Sequence, residues 1–171
     1  LHMTNGDTTG LWPVETDHYP LKGAILPFKR IVAFYGNMYS KNMGALGEYP
    51  PKEMWRMLKE EVAAWQAAEP ETPVIPAIHY IAATAQGTPM KGNTYNMRMP
   101  NHQIDSALTI AIMEDALLFL DIQVGHSTVK NEITALEDYL KMAHVHLGID
   151  PEFSMKDGSV PGKRIGTFDA E

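Results

Sequence analysis

The run Leu117-Leu118-Phe119-Leu120-Asp121-Ile122-Gln123 is apolar for four consecutive residues and then turns polar. A strand apolar toward both faces belongs in a parallel sheet covered on two sides, so its polar residues are confined to its carboxyl end. Three other runs read the same way: Ile31-Val32-Ala33-Phe34-Tyr35-Gly36, Val74-Ile75-Pro76-Ala77-Ile78-His79-Tyr80, and Val145-His146-Leu147-Gly148-Ile149-Asp150. Pro76 is the discordant residue, because proline removes a ladder donor.

The stretches between these runs have helical spacing. Pro50-Pro51 opens the first, with Met54, Leu58, Val62 and Trp65 on one side and Lys52, Glu53, Lys59 and Glu60 on the wet side, and Pro70 and Pro73 end it. The second begins near Asn101 and turns Ile104, Leu108, Ile112 and Met113 inward. Ser127 is the expected cap of the third, which runs to Met142 and buries Val129, Ile133, Leu136 and Leu140. Residues 83–99, with Gln86-Gly87-Thr88-Pro89 and Lys91-Gly92-Asn93, read as a long loop. The order βαβαβαβ predicts an α/β fold of parallel (β/α) units. Leu1-His2-Met3 reads as a tag remnant. Residues 1–29 form that remnant and an irregular lead-in, with Leu21 to Pro27 across the bottom of the fold, and residues 30–171 form the domain. Asp169-Ala170-Glu171 has the look of the first turn of another helix.

Composition narrows the functional classes. The 171 residues carry 14 Lys and Arg against 21 Asp and Glu, a formal charge of −7, which argues against a nucleic-acid partner held through its phosphates. A hydrophobic share of 44% with 20% charged residues is that of a folded chain. No window approaches the ~18 apolar residues that a membrane span needs. The chain has no cysteine, which removes thiol catalysis and cysteine-ligated metals. Tyr35-Gly36-Asn37-Met38-Tyr39 after the first strand is neither a dinucleotide nor a phosphate-loop fingerprint.

Each strand candidate turns polar at its carboxyl end: Tyr35 and Asn37, then His79, then Asp121 and Gln123, then Asp150 and Glu152. The i, i+2 spacing puts each pair on one face if the strand continues. In a β/α barrel those strand ends form the active-site rim. Neighbouring carboxylates there push their pKa values apart, so that one stays protonated while another stays ionised. Glu152 is the expected proton donor, with Asp150 or Asp121 as base or stabilising carboxylate. Tyr35, Asn37, His79, Gln123 and His126, which follows Gly125 just past the third strand, are the expected substrate contacts. His79, Asp121, Asp150 and Glu152 are also hard ligands that a divalent metal would accept. His144-Val145-His146 is an HxH pair at the wrong end of its strand for that rim, and Lys163-Arg164 reads as a solvated basic pair.

Tyr35-Gly36-Asn37, the stretch Gly44 to Pro51, Phe119 to Gln123, Ile149-Asp150-Pro151-Glu152-Phe153 and Pro161 to Gly166 together resemble a group of bacterial secreted proteins and lipoproteins. The resemblance covers roughly residues 28–171. It implies a TIM-barrel, glycoside-hydrolase-like domain, exported to the cell envelope, of which this chain is the N-terminal half. Length gives the same limit, since a full barrel takes ~200–250 residues. Three arrangements fit four strands: a fragment, a small open α/β sandwich, or a half-barrel closed by a second copy into a homodimer. The function expected from these readings is hydrolysis of a carbohydrate or related polar ligand by strand-end carboxylates, with no resident cofactor required. The alternatives are metal-assisted phosphodiester or ester hydrolysis and a non-catalytic cell-envelope binding module.

Overall fold

A computed structural model describes Pro20 and residues 22–168. The tag remnant, most of the lead-in and the helical turn expected at residues 169–171 lie outside the described residues. The elements in chain order are β1 (Arg30–Gly36), α1 (Ala45–Glu48), α2 (Pro51–Ala68), β2 (Val74–Ala85), β3 (Asn96–Arg98), α3 (Asn101–Met113), β4 (Leu117–Ile122), α4 (Val129–Leu140) and β5 (Val145–Ile149). Short 3₁₀ turns lie at Lys91–Asn93 and Pro151–Phe153.

The fold is α/β. Four parallel strands pair in the order β1-β2-β4-β5, and the short β3 pairs antiparallel with the end of β2. The sheet does not close into a barrel: β1 and β5 each pair along one side only. Pro76 fits because the β2–β4 ladder starts one residue later, at Ala77 opposite Leu117.

Period-2 alternation divides the strand residues cleanly between two faces. Val32, Phe34, Ile78, Tyr80, Leu118, Leu120, Val145 and Leu147 join one apolar cluster with Met54 and Leu58 of α2, Ile104 and Ala107 of α3, and Leu136 of α4. The three long helices therefore cover one face. Tyr35, His79, Phe119, Asp121, His146 and Gly148 lie on the other, which no helix among the described residues covers. α2 starts on Pro51 and keeps Arg56 on its wet side between Glu53 and Glu60. Among the described residues, no helix is long and apolar enough to cross a membrane.

Four local expectations are corrected. Trp65 near the end of α2, and Ile112 and Met113 at the end of α3, are exposed rather than turned inward, and two more concern a loop and a cap. Residues 83–99 are not a loop throughout, because β2 runs on to Ala85 and Ala83–Ala85 pair with β3. The cap of α4 is Thr128, whose hydroxyl accepts the Asn131 N–H at 3.2 Å, while the Ser127 hydroxyl donates to Glu132 instead.

Glu132 is only 2% exposed and is held by Arg98 through Nε at 2.7 Å and a second guanidinium nitrogen at 3.1 Å, a bidentate tie between β3 and α4. Burial alone would raise its carboxyl pKa; hydrogen bonds from Arg98, Ser127 and Asn96 outweigh that and hold it below the usual value. A carboxylate with a depressed native pKa stabilises the fold fully above its unfolded pKa and loses that stabilisation as pH falls through the native one. Arg98→Ala is therefore expected to cost about 2 kcal/mol at pH 7, a charged hydrogen-bond pair lost at a half-exposed arginine. Denaturant melts from pH 7 to pH 3 should show the gap from wild type narrowing in acid.

Candidate functional site

The uncovered face ends, at the carboxyl side of the strands, in an open cleft of about 540 Å³. Tyr35 from β1, His79 from β2, Asp121 from β4 and Gln123 just after it, and Asp150 and Glu152 after β5 line it. Its far wall is the segment Asn42-Met43-Gly44. That segment lies against the end of β1 because two glycines meet there. A Cβ on Gly36 would stand 2.0 Å from the Met43 carbonyl oxygen, and one on Gly44 would stand 2.2 Å from that of Tyr35. Both glycines have positive φ, +140° and +69°.

The hydrogen bonds in the cleft have a defined direction. The Ala85 N–H donates to Gln123 Oε1 at 2.9 Å, which fixes the amide so that its NH₂ faces the cleft. Gln123 Nε2 then donates to Asp150 Oδ2 at 3.2 Å and to Tyr35 Oη at 3.3 Å. With its oxygen lone pair engaged, Tyr35 donates its own proton to Asp121 Oδ2 at 3.2 Å. His79 Nε2 lies 3.3 Å from the other oxygen, Asp121 Oδ1. Asp121 itself is 2% exposed.

These surroundings separate the titrating groups. The Tyr35 phenol is pushed far above its ordinary value by burial first, then by Asp121 and Asp150, so it stays a donor. The Asp150 carboxyl is also raised, by burial and then by the charges of Asp121 and Glu152. The lining includes three carboxylates and neither lysine nor arginine.

The strand-end pattern thus converges at Tyr35, His79, Asp121, Gln123 and Asp150. Glu152 stands on the cleft wall in the 3₁₀ turn, with its backbone N–H 3.3 Å from Asp150 Oδ1. Two expected contacts fall elsewhere. β1 ends at Gly36, so Asn37 does not follow Tyr35 onto the open face; it is buried, donates toward Tyr80 Oη and the Ile81 carbonyl at 3.4 Å, and accepts the Tyr39 N–H. His126 is held by the Ser159 carbonyl at 2.7 Å and packs on Tyr95, outside the cleft. His146 stacks on Phe119, and its pKa is lowered by burial and then by His144. Among the described residues, no group of three or more His, Asp or Glu is arranged to hold a metal ion. The sequence reading missed Asn42, Met43, Phe153 and Gly148; glycines at strand ends were the available signal for the wall and for Gly148.

Compared with protein-family models, with curated proteins and with solved structures, the chain matches none. The site therefore rests on its own geometry.

Because the native Asp150 pKa lies above its unfolded value, ionising it costs the fold. That cost is present above the native pKa and vanishes below the ordinary carboxyl value. Asp150→Asn, which keeps an acceptor for the Glu152 N–H, is expected to raise Tm by about 1–3 °C at pH 7. Calorimetry at lower pH should find the gain gone near pH ~4.

Proposed function

We propose that the cleft hydrolyses a neutral, hydroxyl-rich substrate, with a glycoside as the leading class. The observation that carries this reading is the convergence of two carboxylates with different surroundings on one cleft. Asp150 is pushed toward its protonated form, while Asp121 receives the Tyr35 hydroxyl and faces His79. That is the division of labour glycosidic cleavage requires. Asp150 gives its proton to the leaving oxygen. Asp121 faces the positive charge that develops at the anomeric carbon, and water adds there as its proton passes to a carboxylate. Asp150 takes the donor role expected of Glu152, because its carboxyl is half-buried and raised while Glu152 is exposed. The absence of lysine and arginine from the lining favours a neutral sugar over a phosphodiester, whose charge would meet three carboxylates.

The test is a panel of chromogenic α- and β-glycosides assayed with wild type, Asp150→Asn, Asp121→Asn and Glu152→Gln. Loss of a general acid or of the charge-stabilising carboxylate should lower kcat at least about 10²-fold in each aspartate variant. Glu152→Gln should be milder. Equal turnover by wild type and both aspartate variants, or no glycoside cleaved by wild type, overturns the reading.

We further propose that the sheet is one half of an eight-stranded β/α barrel. Its strands follow one another in space, its helices share one face, and both edges are unpaired. A second copy would pair both edges by symmetry. Light scattering across a dilution series is expected to give a mass near twice 19.0 kDa. A monomer at every concentration rejects closure by a second copy.

A further inference from the structure

We infer that Gly148 is a positioning residue of the cleft: its missing side chain is the slot in which His79 and Asp121 meet. For its catalytic consequence this rests on the glycosidase reading; for its geometry it does not. Gly148 is buried in β5 directly opposite Asp121. Unlike Gly36 and Gly44, it does not have positive φ, so its backbone does not call for glycine. A glycine inside a strand costs backbone entropy and packs nothing, so its place there needs another reason.

The neighbours supply one. A Cβ at position 148 would stand 2.5 Å from His79 Nε2, 2.8 Å from Asp121 Oδ1 and 3.2 Å from Asp121 Cα. The last is backbone of the paired strand and cannot withdraw, so the imidazole and the carboxylate must. The imidazole has little room, with Tyr35 edge-on at 5.0 Å on one side and Phe119 at 5.5 Å on the other. Its Nε2 atom is shut off from solvent without a hydrogen-bond partner, and Asp121 Oδ1 lies 3.3 Å away. A side chain at 148 therefore parts the pair, while the Tyr35 hydroxyl still donates to Asp121. His79 thus reaches Asp121 across β4 through a gap in β5, and the gap is what sets the position of the carboxylate.

The experiment reads the His79 ring Nε2–H directly by ¹H–¹⁵N NMR, comparing wild type, Gly148→Ala and Gly87→Ala. Gly87 is the control, because a Cβ there meets nothing within 4 Å. The expected result is a solvent-protected ring N–H in wild type and Gly87→Ala, with exchange at least tenfold faster in Gly148→Ala. Unchanged exchange in Gly148→Ala overturns the inference. Should Gly148→Ala fold poorly, its loss of Tm is measured again in a His79→Ala background. A loss at least halved there supports the slot, and an equal loss overturns it. None of these readouts needs turnover, so failure to cleave any glycoside removes the proposed reaction and leaves the slot to stand or fall separately.

Discussion

A parallel strand can reach its neighbour only through a crossover, and right-twisted strands accept crossovers of one hand. Here the crossovers from β1 to β2, β2 to β4 and β4 to β5 each advance to the adjacent position. Repeating one step in one direction with one hand puts every long helix on the same face. All the apolar partners the helices offer then go to Val32, Ile78, Leu118, Leu120 and their neighbours. Among the described residues the opposite face receives no helix, and the half-exposed stripe Tyr35, His79, Phe119 and His146 crosses all four parallel strands on it. The carboxyl ends on that face are where polar groups sit at least cost to the core.

The polarity of the cleft depends on backbone some distance from it. Gln123 can present its NH₂ to Asp150 and Tyr35 only because its carbonyl is taken by the Ala85 N–H. Ala85 is in place because β2 outruns β1, which ends opposite Tyr80, and β3 supports the extra length by pairing with Ala83–Ala85. β3 is three residues long and would hold weakly alone. Its last residue, Arg98, anchors it to the buried Glu132 of α4. A surface-reaching ion pair thus orients an amide in the cleft through one short strand.

Much of this was legible in the sequence, for a physical reason. Apolar runs flanked by helical spacing have few ways to bury themselves, so the four parallel strands and three long helices follow from pattern alone. Alternation then brings His79, Asp121 and Gln123 to one face wherever the strand persists. The misses occur where persistence fails or pairing is too short to leave a signal. Asn37 lies one residue past Gly36, whose φ of +140° breaks the alternation that Tyr35 obeys. β3 carries the polar sequence Asn96-Met97-Arg98, with no apolar face to announce a strand. Thr128 rather than Ser127 caps α4 because the Ser127 hydroxyl has a better acceptor in the buried Glu132 carboxylate. His126 follows a glycine near the rim, but a carbonyl 33 residues further along captures it.

The two carboxylates buried at 2% exposure have opposite surroundings. Glu132 has a guanidinium gripping both oxygens and a hydroxyl besides, so its charge is neutralised where it sits. Asp121 has a phenol and an imidazole, with a carboxamide one step behind them. A neutral donor such as the Tyr35 hydroxyl does not cancel a carboxylate's charge, whereas an arginine would. Glu132 serves the fold. Asp121, at the edge of a cleft with neither lysine nor arginine among its described lining residues, keeps an attraction for positive charge, whether carried by a ligand or formed in a reaction.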